Sequence, residues 1–293
     1  MAVLGEGQFE IDGVPFGGVW DDVKIGKLEP PQNSWDTQDA NNAFRQSIFM
    51  GVDLLRPGDW QFELRTDCYT VDEARNAADL LAAAWLRGGQ RESGRVSSLR
   101  YRIGNRTRIV YGRGREFVHN FDQWSYSGTS PIAASFQMVS PFFYDDGERE
   151  VRLGYTPPVT GGLVAPLVSP LTSFGTGATY QGGVIGDVGG TAPTPVLINI
   201  YGPTSNAIVS GPGWTIEYSA PIAYDEIVTI DCRFGITLVK NNFGRTLNRN
   251  LSWRTNLTKA LLKPGASNVT YQGFDRTNTS YAVVRWRPAY HTY

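Results

Sequence analysis

Histidine and cysteine are scarce in this sequence, and net charge is almost absent. Its 293 residues include two histidines and two cysteines, while 27 Lys and Arg against 28 Asp and Glu leave a formal net charge of −1. Cys68 and Cys232 lie far apart and lack the spacing of metal ligands, so we expect reduced, structural thiols of a protein made in a reducing cytosol. A net charge so close to zero also argues against general binding to a polyanion.

Long apolar segments are absent as well. The longest one, residues 80–86, lies inside a predicted helix and is far too short to cross a bilayer. Residues 1–7 lack the basic and apolar regions of a secretory signal peptide. We therefore expect synthesis in the cytoplasm and no membrane insertion.

The scarcity of histidine limits the catalytic chemistry that the chain can support. A Ser-His-Asp or Cys-His device would have to use His119, which falls in a predicted strand and is interpreted as a polar strand residue. Asp145 and Asp146 precede Gly147 and are typical of a turn, and no spacing singles out a carboxylate pair or a metal-ligand cluster. We therefore predict no enzymatic activity, no metal and no cofactor.

Glycine and proline, in contrast, are plentiful, with 33 and 17 residues. They separate many short runs that are rich in β-branched and aromatic residues, which predicts a mainly β protein of one to two domains. One strand is strongly marked, because Trp60, Phe62 and Leu64 alternate with polar residues within 60–66.

One helix is predicted, over about residues 71–87. Thr70 and Glu73 form a capping box, in which the Thr70 hydroxyl accepts the Glu73 backbone N–H and the Glu73 carboxylate accepts the Thr70 N–H. Apolar residues follow at helical spacing, and Gly88-Gly89 supplies the end of the helix.

An arginine-rich segment follows the helix, with nine arginines and one acid between residues 87 and 115. Pairing Ile103 with Thr107 across a three-residue loop places the apolar residues together on one face. The opposite face then carries Arg100, Arg102, Arg106 and Arg108. A two-residue loop would mix arginines into the apolar face, so we predict the three-residue loop and a hairpin with one dry side and one positive side.

Composition divides the chain into three parts. Residues 1–145 form a predicted β domain with the helix. They include a polar, poorly periodic arm at 31–46, which is either disordered or used for contacts, followed by apolar residues of β character. Residues 146–192 are rich in glycine and proline and are predicted to be a connecting segment with little regular structure that packs along a surface. Residues 193–293 carry short strands between turns, which is typical of a β-sandwich.

Several motifs occur in an order that resembles a known family. In the first half these are Gly51-Val52-Asp53, Pro57-x-x-Trp60-x-Phe62-x-Leu64, the helix end Ala84-Trp85-Leu86, and Arg106-x-Arg108-x-Val110-Tyr111-Gly112-Arg113. In the second half they are Ile200-Tyr201-Gly202-Pro203, Gly213-Trp214-Thr215-Ile216, Thr229-Ile230-Asp231-Cys232-Arg233 and Leu262-Lys263-Pro264-Gly265. The ordered combination covers nearly the whole chain. It resembles the distal tail proteins, which are minor tail proteins of long-tailed bacteriophages (siphoviruses), particularly those that infect actinobacteria.

The resemblance implies an N-terminal β-sandwich-like ring domain and a C-terminal galectin-like β-sandwich. Six N-terminal domains would form a ring that continues the tail tube, while the C-terminal domains project outward. The chain would then be a virion structural protein of the tail tip, or baseplate, that joins the end of the tube to the host-adsorption apparatus. Its partners would be other copies of itself, the tail-tube protein, the tail-hub protein and other minor tail proteins.

A ring suggests a use for the arginine-rich hairpin, whose positive face could pair with acids of the neighbouring subunit or of the tube. The candidate interface residues are Asp36, Asp39, Arg45, Arg100, Arg102, Arg106, Arg108, Arg113 and Arg115. Solvated arginines are the simpler alternative, and contact with DNA in the tail lumen is another. No specific nucleic-acid binding is expected, because the sequence has no motif that reads RNA or DNA.

Carbohydrate binding through the C-terminal sandwich is the alternative function. Trp214 and Trp286 alternate with β-branched neighbours and are expected in the core. Trp253 is less patterned and is therefore the candidate for stacking on a glycan of the host cell surface. The polar cluster with which galectins bind sugars is not recognisable, so the fold alone would be an analogy.

Overall fold

The structure is a computed structural model, and it describes residues 3–41, 47–86, 95–120, 126–154 and 183–293. These residues form a mainly β protein of antiparallel sheets, which confirms the predicted fold class. The chain divides into two compact units. The first unit comprises Met1–Gly147 and Ala289–Tyr293, and the second comprises Glu148–Pro288.

The first unit is built on a nine-stranded antiparallel sheet and helix α1. Its elements are β1 (Phe9–Ile11), β2 (Val14–Phe16), β3 (Val23–Glu29), β4 (Ser34–Asp36), β5 (Ala40–Asn41), β6 (Ile48–Phe49), β7 (Leu54–Arg56), β8 (Asp59–Thr66), α1 (Val71–Leu86), β9 (Ser97–Ile103), β10 (Arg106–His119), β11 (Pro131–Met138), β12 (Phe143–Asp145) and β24 (Ala289–Tyr290). The strand order is β2-β1-β9-β10-β11-β8-β3, and β12 and β24 extend the sheet from β10.

Strand β8 and helix α1 form as the sequence predicts. In β8 the side chains alternate strictly between exposed and buried positions, so Trp60, Phe62 and Leu64 face the core. The capping box closes before α1, because the Glu73 N–H donates to Thr70 Oγ1 at 3.2 Å and the Thr70 N–H donates to Glu73 Oε2 at 3.2 Å. Both predictions are confirmed.

The core of the first unit is strongly aromatic. Helix α1 buries one face, and Trp85 Nε1 on that face donates to a backbone carbonyl of β11 at 2.9 Å. Phe9 lies at the centre of the ring cluster, with its centroid 5.5 Å from Phe62 and Tyr101 and 5.8 Å from Trp60. Such rings combine a large buried area with directional packing, so they fix how the helix and the sheet meet.

The polar arm at 31–46 is more regular than the sequence suggests. Strand β4 pairs with β7, and β5 pairs with β6, so residues 34–41 lie antiparallel to residues 48–56. The prediction of an irregular arm is therefore wrong for its described part; residues 42–46 lie outside the described residues. The polar strand pairs with the apolar segment that follows it, and the alternation within either segment alone is too short to reveal the pairing.

The turn of the arginine-rich hairpin also differs from the prediction. Ile103 pairs with Arg106, so the loop consists of the two residues Gly104-Asn105. The glycine has a φ of +61°, which suits the first central position of a type II′ turn. The predicted three-residue loop is wrong, and the correction moves Arg106 and Arg108 to the face that carries Tyr101. The conformational preference of the Gly104 turn therefore outweighed the separation of apolar and charged side chains onto two faces.

Residues Ala289–Tyr293 return to the first unit, where β24 pairs with β12 through Phe143↔Tyr290 and Tyr144↔Ala289. The sequence alone predicts these residues as part of the C-terminal sandwich. A two-residue strand has no periodicity of its own, so only its partner across the sheet reveals its place.

The second unit contains eleven strands within its described residues. They are β13 (Arg149–Gly154), β14 (Gly183–Ile185), β15 (Thr194–Pro195), β16 (Leu197–Tyr201), β17 (Ser205–Gly211), β18 (Trp214–Tyr218), β19 (Ile227–Asp231), β20 (Leu238–Asn241), β21 (Leu261–Leu262), β22 (Ser267–Phe274) and β23 (Tyr281–Trp286). Short 3-10 helices span Asn248–Asn250 and Leu257–Lys259.

Two antiparallel sheets enclose the core of the second unit. The five-stranded sheet has the order β13-β23-β16-β19-β20, and the four-stranded sheet has the order β14-β22-β17-β18. Alternating residues of both sheets, such as Ile198 and Ile230 of the first and Val209 and Val269 of the second, join one buried apolar cluster. This arrangement is the β-sandwich expected from the strand pattern.

Parts of the predicted connecting segment 146–192 belong to this sandwich. Strand β13 pairs with β23, and β14 pairs with β22. Leu153, Ile185 and Val188 are buried in the core cluster, because their apolar side chains point inward from these edges. Residues 155–182 of the segment lie outside the described residues.

Candidate functional site

The arm formed by β4–β7 exposes an apolar surface. Six of its side chains are between 51% and 80% exposed: Trp35, Ile48, Phe49, Met50, Val52 and Leu54. So many exposed apolar side chains in one short segment are typical of a region that contacts another protein. The apolar character of this segment is visible in the sequence, but the prediction did not extend to a contact surface. The available signal was an apolar run that directly follows a polar run.

The backbone of the arm is held by its own polar groups. Arg56 Nη2 donates to Asp36 Oδ2 at 2.5 Å, and the Gly51 N–H donates to Asp39 Oδ1 at 2.9 Å. A Cβ on Gly51 would lie 2.1 Å from Gln38 O, so the close approach of the two strands requires glycine there. Asp36 and Asp39, two of the predicted interface acids, thus have partners inside the arm. Their role in a contact between subunits stays a prediction.

Arg100 lies in a buried ion triad and not on a solvent-facing row. Its side chain is 4% exposed. Its Nη1 donates to Glu10 Oε2 at 2.9 Å, and its Nη2 donates to Asp146 Oδ2 at 2.7 Å. The hydrogen bond to Asp146, followed by that to Glu10, raises the pKa of Arg100 although burial alone would lower it. Arg100 therefore ties β1, β9 and the end of β12 together.

Arg108 is buried on the opposite face of the same two strands, with a different set of neighbours. Its Nη1 donates to the backbone carbonyl of Thr292, and its guanidinium lies 4.0 Å from the centroid of the Tyr290 ring. Among the described residues, no carboxylate forms an ion pair with it. Burial lowers the pKa of Arg108. The predicted row of four arginines on one side of the hairpin is therefore wrong, because Arg100 and Arg102 face one way and Arg106 and Arg108 face the other.

The remaining candidate arginines lie nearer to solvent. Arg102 donates to Leu4 O at 2.9 Å, Arg113 donates to Arg95 O at 2.7 Å, and Arg115 donates to Gln137 Oε1 at 2.7 Å. Arg106, beside the turn, is exposed. Arg45 lies outside the described residues. The use of these side chains in an interface stays a prediction.

His119 has a partner that could suggest a catalytic device. Its Nε2 lies 2.6 Å from Ser130 Oγ, which in turn lies 3.0 Å from Thr66 Oγ1. The Thr66 hydroxyl already donates to Gly128 O at 2.9 Å, so the Ser130 hydroxyl proton is directed to Thr66. His119 Nε2 must then donate to Ser130, and it cannot take up the serine proton as a general base. The hydroxyl of Ser130 is also buried, so a substrate has no access to it.

Metal and membrane chemistry add no further candidate. Within the described ranges, no group of three or more His, Cys, Asp or Glu side chains is placed to hold a metal ion. In the same part of the chain, no helix combines the length and apolar character of a membrane-spanning segment. Both cysteines are free thiols, and burial raises the pKa of each of them.

The tryptophans of the second unit are distributed as the sequence predicts. Trp214 and Trp286 are buried, and their Nε1 atoms donate to backbone carbonyls at 3.0 Å. Trp253 is 87% exposed, and its ring has the Arg254 guanidinium 5.2 Å from its centroid. Its role in stacking on a glycan stays a prediction.

Comparisons of the sequence with protein-family models and with curated proteins find no match. Comparison of the fold with solved structures does find matches. The chain is similar to the Dit protein of phage SPP1, described as a paradigm of the hub adsorption apparatus in phages that infect Gram-positive hosts. The TM-score is 0.55 and the identity 10%, over 96% of this chain and 98% of that one.

Chains of the phage p2 baseplate in its activated conformation are similar to a comparable degree. The structure with Ca gives a TM-score of 0.58 at 11% identity, over 96% of this chain and 97% of that one. The structure with Sr gives 0.56 at 10% identity, over 95% and 97%. The resemblance indicated by the sequence motifs is therefore confirmed at the level of fold: this chain has, along nearly its whole length, the fold of a phage distal tail (Dit) protein.

Proposed function

We propose that this protein is a structural component of a phage tail tip. It acts as a distal tail adaptor that assembles into a ring of six subunits and joins the end of the tail tube to the hub of the host-adsorption apparatus. Its partners are other copies of itself, the tail-tube protein and the tail-hub protein. It needs no catalytic chemistry for this role, and its location is the tail tip of the virion.

The similarity to SPP1 Dit along nearly the full length of both chains is the observation that carries the proposal. A match confined to one β-sandwich would point to the fold of a common module, because such sandwiches serve many unrelated functions. Here both units match together and in the same order, which is a more specific combination than either unit alone.

The exposed arm supports self-association. Ring closure needs two different surfaces that meet between neighbouring subunits and whose rotation closes. An arm that is held by its own polar contacts and carries exposed apolar side chains supplies one such surface. Arg106 and Arg115 are exposed on the β9–β10 strands and are suited to polar contacts at the rim of such an interface.

The first experiment is native mass spectrometry of the purified protein, together with negative-stain electron microscopy. We expect annular particles with about six times the 32.3 kDa subunit mass. A monomer that also fails to form rings when mixed with its tail-hub protein would contradict the proposal.

The arm is tested by comparing two variants. The double variant Phe49→Ser/Met50→Ser removes apolar area from the arm and is expected to leave a folded monomer. Phe243→Ser removes a side chain that is as exposed as Phe49, both being 64% exposed, but lies in the second unit, and it is expected to retain the ring. Deletion of residues 31–46 should likewise prevent ring closure. Intact rings from the arm variants would refute the role of the arm.

A further inference from the structure

A small pocket opens on the second unit. Its volume is about 270 Å3, just below the range of roughly 300–1,000 Å3 that is usual for small-molecule sites. The side chains that define it are Tyr201, Tyr224, Asp225, Glu226, Thr279 and Tyr281. None of the candidate residues indicated by the sequence lies among them.

One wall of the pocket is the end of an aromatic stack. Tyr201 and Tyr281 are paired across β16 and β23, with their ring centroids 4.3 Å apart and their planes at 11°. The Arg152 guanidinium lies 3.8 Å from the centroid of the Tyr281 ring. Tyr201 and Arg152 lie on the two sides of Tyr281. On its other side, Tyr201 is paired with Ile227 of β19, which also lines the pocket.

A second part of the lining is a tight turn that carries two carboxylates. The Glu226 N–H donates to Ala223 O at 3.2 Å, which closes the turn. Glu226 Oε1 accepts from Asn241 Nδ2 at 2.7 Å, so its carboxylate has a fixed direction. A Cβ on Gly202 would lie 1.9 Å from Ala223 O, and the absence of one lets the turn approach β16 this closely.

The carboxylate of Asp225, in contrast, accepts no hydrogen bond from a described residue. It lies beside Tyr224, whose side chain is 76% exposed. The turn therefore presents one fixed carboxylate, one carboxylate that is free to pair with a ligand, and one exposed ring.

The charge of these walls selects the ligand. Two carboxylates face the pocket, and none of the described lining residues is a lysine or an arginine. An aromatic face attracts a cation through its negative quadrupole, and neighbouring carboxylates add Coulomb attraction. Arg152 already lies over the Tyr281 ring, so a tyrosine of this stack attracts a cation in the structure itself.

We propose that this pocket binds an organic ammonium group. The ammonium would pair with Asp225 and contact the rings of Tyr201 and Tyr224. Three sources share this chemistry: the amine of a 2-amino sugar, a quaternary ammonium of the choline type, and a lysine side chain of a protein. The inference does not depend on ring formation or on the proposed adaptor function.

The test is isothermal titration calorimetry at low ionic strength with four probes: glucosamine, N-acetylglucosamine, choline and lysine methyl ester. We expect at least one of the three cations to bind with a Kd on the order of 1 mM, as suits a cation–π contact and an ion pair. N-acetylglucosamine, which has the same ring without the charge, should not bind. The affinity should fall as salt is added, because the ligand is charged.

Two exposed substitutions connect binding to the pocket. Asp225→Asn is expected to weaken binding by about fivefold, and Tyr224→Ser by about two- to fivefold. Trp253→Ser removes an exposed ring that does not line the pocket and should leave the affinity unchanged.

Each outcome decides the proposal. Preference for glucosamine, choline or lysine methyl ester supports it and identifies the source of the ammonium. Equal binding of N-acetylglucosamine and glucosamine would overturn it in favour of a neutral sugar site, and no binding of any cation would also overturn it. Loss of binding in Trp253→Ser alone would move the site to Trp253. None of these results bears on ring assembly, which native mass measures separately.

Discussion

A buried cation of the first unit and a buried anion of the second unit are held in different ways. In the first unit, Arg100 is compensated by the carboxylates of Glu10 and Asp146, which are distant from it in the sequence. In the second unit, Asp275 is 7% exposed, and no lysine or arginine among the described residues forms an ion pair with it. Its carboxylate instead accepts hydrogen bonds from residues that follow it within five positions.

The four bonds to Asp275 come from a single loop. The donors are Thr277 N and Thr277 Oγ1 at 2.7 Å, and Thr279 N and Ser280 N at 2.8 Å. Burial alone would raise the pKa of Asp275, but the bonds from Ser280 and Thr277 outweigh it and lower the pKa to about 2. An anion can thus be held locally, since every non-proline residue offers an N–H. Backbone carbonyl oxygens, which could accept from a buried cation, are equally common. A guanidinium, however, has five N–H donors and forms its strongest hydrogen bonds with carboxylates, which other elements of the fold must supply.

Arg108 is a buried cation that forms no ion pair with a described carboxylate. Its described partners are the Thr292 carbonyl and the Tyr290 ring, both from the segment that returns to the first unit. Removing Arg108 therefore breaks no ion pair with a described carboxylate, whereas removing Arg100 breaks two, those with Glu10 and Asp146. The loss in unfolding free energy for each substitution should therefore depend on how many ion pairs it breaks, and not on the burial of the arginine alone.

The largest effect is expected from Arg100→Met. Loss of the guanidinium removes the ion pairs with Glu10 and Asp146, which are 16% and 23% exposed. Breaking a buried ion pair in this way costs about 3–5 kcal/mol in the free energy of unfolding. Urea denaturation at neutral pH measures it. Arg115→Met, at an exposed position on the neighbouring strand, is the control and should change stability by no more than about 0.5 kcal/mol. A loss below about 1 kcal/mol for Arg100→Met would mean that water replaces the cation.

Asp275→Asn should have an intermediate effect that depends on pH. The pKa of Asp275 in the folded protein is about 2, below the ordinary value of 3.8. Its charged form therefore adds stability above the ordinary pKa, and this contribution is lost as the pH falls from about 4 towards 2. The difference in unfolding free energy between the wild type and Asp275→Asn should be about 2 kcal/mol at pH 7 and should approach zero near pH 2.

Denaturant titrations of both proteins across this pH range provide the check on Asp275. Asp225→Asn, at an exposed position in the same unit, should follow the wild type. A difference for Asp275→Asn that stays constant with pH would show that the side chain acts through packing and not through its charge.

Arg108→Met should have the smallest effect, about 1 kcal/mol or less. The substitution loses a hydrogen bond and a cation–π contact, but it also removes the cost of burying a cation, and methionine refills much of the space. The same urea experiment measures it, with Arg106→Met as an exposed control on the same face. A loss as large as that of Arg100→Met would contradict the comparison, because it would mean that the absence of a carboxylate makes no difference.

Local patterns were sufficient for several elements. The alternation in β8 and the Thr70–Glu73 capping box depend on residues at most four positions apart, and both form as predicted. The mainly β fold and the core positions of Trp214 and Trp286 follow from the same short-range periodicity. The ordered motifs added the distal tail resemblance, which the fold comparison confirms although identity is only 10%.

Tertiary structure decided the features that depend on partners from elsewhere in the chain. Arg108 can face the aromatic core because Tyr290 and Thr292, which come more than 180 positions later, contact its guanidinium. A local sequence pattern contains no information about these two partners, so it counts an arginine in an apolar face as unfavourable. The strands of the arm likewise form because each one pairs with a segment from elsewhere in the chain. The pocket at Tyr201 likewise combines strands and turns that are separate in the sequence. Short-range periodicity determined which segments are strands or helix, whereas the neighbours of each charge were determined by the folded chain, because the free energy of a buried charge depends on every group packed around it.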